Sequence, residues 1–273
     1  MPETLSTPDG LTLHVYHWPV PEPQGAVLLM HGLSEHLGRY DHVARALNAA
    51  GLAVWGADHR GHGRSTGEPR GHVHAIPRLA DDQALLWARM KAAHPDIPRF
   101  VIGHSMGGNV ATHFALRHQD EMRGLVTSGA GLILNVSGVL VPTVRLLAGV
   151  APLASSPSSL PSSTLSHDPE VVRAYDDDPL VYHGNPRFGT IQALIAGGQD
   201  ALQRAESLHI PLLIMHGSAD ELVPARASQA LYGGASSADK TLKVYPELYH
   251  EIFNETDKAA VLADLTAWLQ AHL

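Results

Sequence analysis

Short apolar runs and segments with helical apolar spacing alternate along most of the chain. The runs predict strands at Ala26–Met30, Leu52–Ala57, Phe100–Ile102, Gly124–Ser128, Pro211–His216 and Leu242–Tyr245. The periodic segments predict helices near Tyr40–Ala50, near Ile76–Ala93, after Ser105, near Ala225–Leu231 and near Asp257–Ala271. Continuous apolar runs separated by helices are typical of parallel strands that are buried on both faces. We therefore predict an α/β fold with a mostly parallel, doubly wound sheet.

The sheet is expected to begin with antiparallel pairing. Leu11–Trp18 alternates between apolar and polar side chains and follows the turn signal Pro8-Asp9-Gly10. Such alternation predicts an antiparallel edge strand that forms half of a hairpin.

The α/β alternation stops between about Ala130 and Leu208. Residues 137–150 are apolar on nearly every side, residues 155–163 are rich in Ser and Pro, and helical spacing resumes near Glu170–Tyr175 and Thr190–Arg204. We interpret residues 131–208 as a cap inserted into a core of residues 1–130 and 209–273. A membrane span over residues 130–154 is disfavoured by Asn135, Pro142, Arg145 and the Gly residues that it contains. A buried core helix remains the alternative for that segment.

Composition restricts the class of protein. The chain has 273 residues, of which 44% are hydrophobic, and its formal net charge is −8. A net negative charge does not indicate a nucleic-acid partner, and it disfavours global attraction to an anionic membrane. Since there is no Cys, disulfides and cysteine nucleophiles are excluded, and a cytoplasmic location fits. The first eight residues lack the basic and apolar regions of a signal peptide.

The chain contains 19 His. The closest pairs, His72 with His74 and His59 with His62, have no carboxylate at a metal-ligand spacing on the same element. We therefore expect scattered histidines and no metal site.

The segment Gly103-His104-Ser105-Met106-Gly107 carries the strongest chemical signal. It follows an apolar run and precedes a helical segment, so it predicts a strand, a sharp turn and a helix that expose the Ser105 hydroxyl as a nucleophile. Gly63-Arg64-Ser65-Thr66-Gly67 has the same spacing, but it lies in a polar loop that continues into Glu68-Pro69. Without the strand and the helix, Ser65 is not expected to be a nucleophile.

A serine nucleophile needs a base and a carboxylate that orients the base. Asp220 follows the predicted strand Pro211–His216, and His250 follows Leu242–Tyr245, which is the order and placement that this fold requires. Glu221 is a weaker rival for the acid. The backbone N–H groups of Leu33 and Met106 are the candidate oxyanion donors.

Several segments together resemble the monoacylglycerol lipase family of α/β-hydrolases. They are His31–Tyr40, Asp58–Ser65, Gly103–Gly108, Pro161–Ser166, Asp178-Pro179-Leu180 and His216–Asp220. The resemblance implies hydrolysis of a monoacylglycerol to a fatty acid and glycerol under a mobile apolar cap, without a metal or an organic cofactor. Many members of the family carry a small residue where this chain has Leu33, so the resemblance does not fix the shape of the pocket beside the oxyanion donors.

Further site residues are expected on the two sides of the ester. The resemblance places Glu35 and Arg39 near the glycerol group, although a local salt bridge that shapes the loop is the alternative. Leu140, Val144 and Leu147 of the cap are the candidates for the acyl chain and for transient contact with a membrane or micelle. Lysophospholipase or general carboxylesterase activity stays open as an alternative, as does a ligand-binding protein without activity.

Overall fold

The computed structural model describes residues 3–157 and 159–273, which form a single eight-stranded sheet. Residues 1 and 2 of the predicted core and Ser158 of the Ser- and Pro-rich segment lie outside the described residues. The strands are β1 (Glu3–Ser6), β2 (Thr12–Trp18), β3 (Gly25–Met30), β4 (Leu52–Ala57), β5 (Arg99–His104), β6 (Gly124–Ser128), β7 (Leu212–Gly217) and β8 (Lys240–Tyr245).

The strand order is β1-β2-β4-β3-β5-β6-β7-β8. β2 pairs antiparallel with β1 and β4, and all other neighbours are parallel. The predicted fold class and the hairpin are thereby confirmed. The prediction that Leu11–Trp18 is an edge strand is wrong, because β1 lies outside it. Four residues are too few for β1 to show an alternation of its own.

In the described part of the chain, eight α-helices pack around the sheet and beside it. They are α1 (Asp41–Ala49), α2 (Ile76–Ala93), α3 (Met106–His118), α4 (Val141–Val150), α5 (Pro169–Asp176), α6 (Phe188–Gln203), α7 (Arg226–Gly234) and α8 (Lys258–Ala271). Apolar residues of α1 and α8 belong to one hydrophobic layer, and those of α2, α3, α6 and α7 belong to the other. Within β3, Val27 and Leu29 enter the first layer while Leu28 and Met30 enter the second. Burial on both faces explains why the strands are continuous apolar runs.

Residues 131–208, which we call the insert, contain α4, α5 and α6. α4 begins at Val141, with Pro142 in its first turn. Proline is tolerated there because the N–H that it lacks would have no intrahelical acceptor. α6 buries Ala193, Leu194 and Ala201 in the same hydrophobic layer as α3, so the insert shares the core of the sheet.

Large apolar side chains are exposed around α4. Val139 is 84% exposed, Leu146 65% and Val150 71%, whereas Val144 is buried. Within residues 3–157 and 159–273, no helix is long and apolar enough to cross a membrane.

Candidate active site

Ser105 lies on a strained turn between β5 and α3. Its backbone has φ 53° and ψ −120°, a left-handed conformation that costs free energy for any residue except glycine. A Cβ atom on Gly103 would lie 2.2 Å from the Gly107 carbonyl oxygen, and one on Gly107 would lie 2.3 Å from the Met30 oxygen. Only glycine fits at these two positions, so the turn that exposes Ser105 depends on both.

The structure brings Ser105, His250 and Asp220 together at the carboxyl ends of three strands. His250 Nε2 lies 2.8 Å from Ser105 Oγ, and His250 Nδ1 lies 2.6 Å from Asp220 Oδ2. The other carboxylate oxygen of Asp220 accepts hydrogen bonds from the Leu222 and Val223 amides, each at 2.9 Å. The carboxylate is therefore fixed by its own loop while it orients the imidazole.

His250 and Asp220, which are in contact, stabilise each other's charged form. Burial alone would lower the pKa of His250, but the adjacent Asp220 carboxylate, together with the charges of Glu251 and Glu35, raises it. Burial alone would raise the pKa of Asp220, but His250, together with a hydrogen bond from His216, lowers it well below its usual range. Asp220 is thus ionised at neutral pH, and it stabilises the imidazolium that forms when His250 accepts a proton.

The two rejected candidates lie in different surroundings. Ser65 is buried, donates its hydroxyl to the Asp58 carbonyl oxygen at 2.6 Å and accepts the His14 amide at 2.9 Å. Glu221 is exposed at the rim of the cavity described below. Neither side chain is bonded to His250 in the part of the chain that the structure describes.

Leu33 and Met106 both line the space beside Ser105. Met106 is the first residue of α3, so its N–H has no acceptor within the helix. The neighbouring Gly32 amide donates to Glu35 Oε1 at 2.6 Å. Among the described residues no protein acceptor is bonded to the Leu33 amide, which leaves it, like that of Met106, available to an oxyanion.

A buried ion cluster joins the Leu33 turn to the loop of His250. Arg39 contacts Glu35 Oε2 at 2.5 Å and forms a bidentate pair with Glu251, each contact being 2.7 Å. Tyr40 also donates to Glu35, at 2.6 Å. Sequence reasoning placed Glu35 and Arg39 near the site but missed Glu251. The sequence feature that could have indicated Glu251 is an ionisable side chain directly after the candidate base.

The cluster contains two buried carboxylates and one guanidinium. Burial raises the pKa of Glu35. Burial alone would also raise the pKa of Glu251, but Arg39 lowers it to about 2. Of the described residues, Glu35, His104 and Glu251 form one group whose potential metal-ligand atoms lie within 4.8 Å of one another. Arg39 already bonds to both carboxylates of that group, so we interpret it as an ion cluster.

A cavity of about 350 Å³ opens above Ser105. Its wall is mostly apolar and comes from both the sheet and the insert: Leu33, Met106, Leu134, Val136, Leu140, Leu160, Leu165, Ile191, Leu194, Leu222 and Val223. Glu35, Glu251 and Tyr175 add polar atoms close to His250. Among the predicted acyl-chain residues, Leu140 lies in the wall, whereas the described lining does not include Val144 or Leu147. Arg39 lies behind Glu35 and outside the lining.

Comparisons with known proteins agree with this architecture. A family model described as serine aminopeptidase, S33, matches residues 21–257. A protein of Mycolicibacterium smegmatis named monoacylglycerol lipase is 44% identical over 257 residues, which are 93% of this chain and 91% of that protein. Human monoglyceride lipase is 32% identical over 277 residues, covering 97% of this chain and 89% of the human protein.

Solved structures give the same grouping. A monoacylglycerol lipase of Paleococcus ferrophilus superposes with a TM-score of 0.86 at 29% identity and covers 96% of this chain and 99% of its own. A soluble variant of monoglyceride lipase from Saccharomyces cerevisiae, solved with a substrate analogue, has a TM-score of 0.87 at 27% identity and covers 99% and 96%. The expected family is confirmed: this chain belongs to the S33 family of α/β-hydrolases and, within it, to the monoacylglycerol lipases.

Proposed function

We propose that this protein hydrolyses monoacylglycerols to a fatty acid and glycerol through an acyl-enzyme on Ser105. The observation that carries the proposal is the 2.8 Å contact between Ser105 Oγ and His250 Nε2, at the floor of an apolar cavity. The similarity to proteins named monoacylglycerol lipase over most of the chain supports the substrate class.

In the first half of the reaction Ser105 Oγ attacks the ester carbonyl carbon and passes its proton to His250 Nε2. Asp220 holds the Nδ1–H tautomer and stabilises the imidazolium that forms. The amides of Leu33 and Met106 receive the negative charge of the carbonyl oxygen. When the C–O bond to glycerol breaks, His250 returns the proton to the departing oxygen.

In the second half water replaces glycerol. His250 Nε2 takes a proton from the water molecule, whose oxygen attacks the acyl carbon of the ester on Ser105. The proton then returns to Ser105 Oγ as the fatty acid leaves. The raised pKa of His250 matches this use as an acceptor that is charged transiently.

The insert serves as the cap and holds the acyl chain. Support comes from the cavity wall, in which Leu140, Leu160, Ile191 and Leu194 of the insert lie opposite the Ser105 turn. The exposed side chains Val139, Leu146 and Val150 add an apolar surface on the outside of the same segment. Such a surface favours transient contact with a membrane or micelle that supplies the substrate.

The glycerol group contacts Glu35, and Arg39 acts on it through Glu35. Glu35 lines the cavity, and its Oε2 accepts only from Arg39 among the described residues, so this oxygen retains capacity for a substrate hydroxyl. Arg39 uses both of its terminal nitrogens on Glu35 and Glu251. Glu35 can therefore form the salt bridge with Arg39 and contact the glycerol group at the same time.

Labelling with a fluorophosphonate probe tests the nucleophile. The probe phosphonylates a serine only when a base activates it, so peptide mapping should find the adduct on Ser105, and Ser105→Ala should abolish labelling. Ser65→Ala is the matched control and should label as the wild type does. An adduct on another serine, or no adduct, would contradict the proposed mechanism.

A further inference from the structure

Glu255 is a fully buried carboxylate that the reaction does not use. It follows the short 3-10 turn Ile252–Asn254, just beyond the base loop, which we define as residues 246–251. Its Oε1 accepts the Tyr249 amide at 2.7 Å, directly before His250 in the chain. A buried carboxylate that is bonded to the residue preceding the base can control where the base lies.

The same carboxylate holds a segment of the insert. Glu255 Oε1 lies 2.9 Å from His167 Nδ1, and Oε2 accepts the His167 amide at 3.0 Å. The Ser166 hydroxyl lies 3.4 Å from Oε2. Glu255 therefore bonds to the base loop and the insert at once.

Other contacts join the two segments around this carboxylate. The Glu251 amide donates to the Leu165 carbonyl oxygen at 2.8 Å, and the Ser166 hydroxyl donates to the Asn254 carbonyl oxygen at 3.0 Å. The rings of His167 and Tyr249 stack with centroids 3.7 Å apart. This part of the insert is thus fixed to the base loop, in contrast to the exposed surface around α4.

The partners of Glu255 indicate a geometric role more than a charge pair. Among the described residues its only ion-pair partner is His167, whose side chain is 42% exposed, and no Lys or Arg contacts it. Three of the five bonds that the structure describes for it come from backbone amides, those of Tyr249, His167 and Thr256. Hydrogen bonds to an ionised acceptor are stronger than neutral ones, and a buried carboxylate left without them is costly.

We propose that Glu255 is a positioning residue that locks the base loop to the insert and so holds His250 against Asp220. The inference rests on the proposed function, because His250 is the base only in that reaction. It means that the placement of the insert segment Leu165–His167 and the placement of the base are set by one carboxylate.

Glu255→Gln tests the proposal, because the amide keeps the shape but presents an NH₂ group to amide donors. We expect kcat on 4-nitrophenyl butyrate to fall about tenfold, the loss of roughly one charged hydrogen bond, with KM within about twofold. Glu247→Gln makes the same change at an exposed position of the base loop and should leave both constants unchanged.

The pH profile separates positioning from a general loss of stability. His250 is faced by Asp220, Glu251 and Glu35, whose charges raise its pKa, and by the ring of His104, 4.8 Å away. If Glu255→Gln loosens the contact with Asp220, the imidazolium loses stabilisation, and the acidic limb of kcat/KM moves to lower pH. A fall in kcat that leaves the limb unmoved would indicate a general loss of stability and would overturn the positioning role.

Should Glu255→Gln fail to fold, His167→Ala removes one contact of the carboxylate from a partly exposed position. We expect about a threefold fall in kcat and a shift of the acidic limb in the same direction. A folded Glu255→Gln enzyme, or a His167→Ala enzyme, with the kcat and pH profile of the wild type would overturn the proposal. A wild type without esterase activity would overturn the proposed function, and this inference with it.

Discussion

Arg39 forms a bidentate ion pair with Glu251, the residue next to the proposed base, with both nitrogen–oxygen distances at 2.7 Å. The same guanidinium contacts Glu35 beside the Leu33 turn. The pair thus connects the two loops that supply the proposed oxyanion donor and the proposed base, and its Glu251 carboxylate lies at the polar end of the cavity.

This arrangement gives Glu35 and Arg39 different expected phenotypes. Glu35→Gln should lower kcat/KM for monoacylglycerol by about tenfold, with less effect on 4-nitrophenyl butyrate, since that ester has no hydroxyls to bind. Arg39→Lys keeps the charge but loses the bidentate geometry, so kcat/KM should fall to a similar extent for both substrates. Steady-state kinetics on the two esters is the measurement. An equal loss of kcat/KM on both esters in Glu35→Gln would show that Glu35 acts only through its structural salt bridge with Arg39.

The pH dependence of activity should report the contact between His250 and Asp220. Because Asp220 raises the pKa of His250, the acidic limb of kcat/KM should lie above the ordinary imidazole value, and activity should rise with pH through that limb. Asp220→Asn should lower turnover by favouring the wrong tautomer and should move the limb to lower pH.

Glu221→Gln is the matched control for that experiment, since Glu221 is the adjacent carboxylate and is exposed. Its profile should be that of the wild type. If Glu221→Gln lost more activity than Asp220→Asn, Asp220 would not be the acid.

The apolar surface around α4 should matter only for aggregated substrate. Leu146→Glu places a charge on a side chain that is 65% exposed, so folding should be preserved while docking to a lipid surface is weakened. We expect at least a fivefold loss on monooleoylglycerol in mixed micelles and no change on 4-nitrophenyl butyrate. Val244→Glu, at a 37% exposed apolar position outside the insert, is the control. Equal losses on both substrates would contradict a docking role.

Buried neutral histidines should make the protein sensitive to acid. Burial lowers the pKa of His59 to about 3, of His62 to about 4 and of His104 to about 3. Since their unfolded pKa is near 6.5, the unfolded state binds more protons between pH 6 and pH 5, and folding stability falls as the pH falls. Three such groups correspond to about 4 kcal/mol per pH unit.

Urea unfolding at several pH values measures this slope. His62→Asn keeps a donor for the Arg60 carbonyl oxygen, which lies 3.0 Å from His62 Nδ1, but it removes one titrating group, so the slope should fall by about one proton. A wild-type stability that is flat from pH 6 to pH 5 would show that these histidines are not buried in the neutral form.

The core elements could be predicted because burial on both faces leaves a continuous apolar run, as in β3 and β7. The Ser105 turn could be predicted because two glycines are required by close backbone contacts. β1 could not be predicted, since four residues are too few to show an alternation of apolar and polar positions. Glu251 and Glu255 were also missed, because a buried charge in a loop has no periodicity and its role depends on partners distant in the chain, such as Arg39 and His167.

The insert shows a similar division. The helical spacing predicted α5 and α6 within a few residues, but a helix that is apolar on every side does not reveal which side faces the protein. The contacts of α4 with its surroundings decide that Val144 is buried while Leu146 is exposed. Residues such as Leu140 gain a position in the cavity only from the way the insert packs over Ser105.

Initial rates on monooleoylglycerol and on lysophosphatidylcholine, measured for the wild type, Ser105→Ala and Ser65→Ala, test the central claim most directly. The account predicts that the wild type hydrolyses monooleoylglycerol faster than lysophosphatidylcholine. Ser105→Ala should lower the rate by several powers of ten, and Ser65→Ala should have a rate near that of the wild type when the rate is expressed per folded enzyme. Faster turnover of lysophosphatidylcholine by the wild type, or substantial activity of Ser105→Ala, would contradict it.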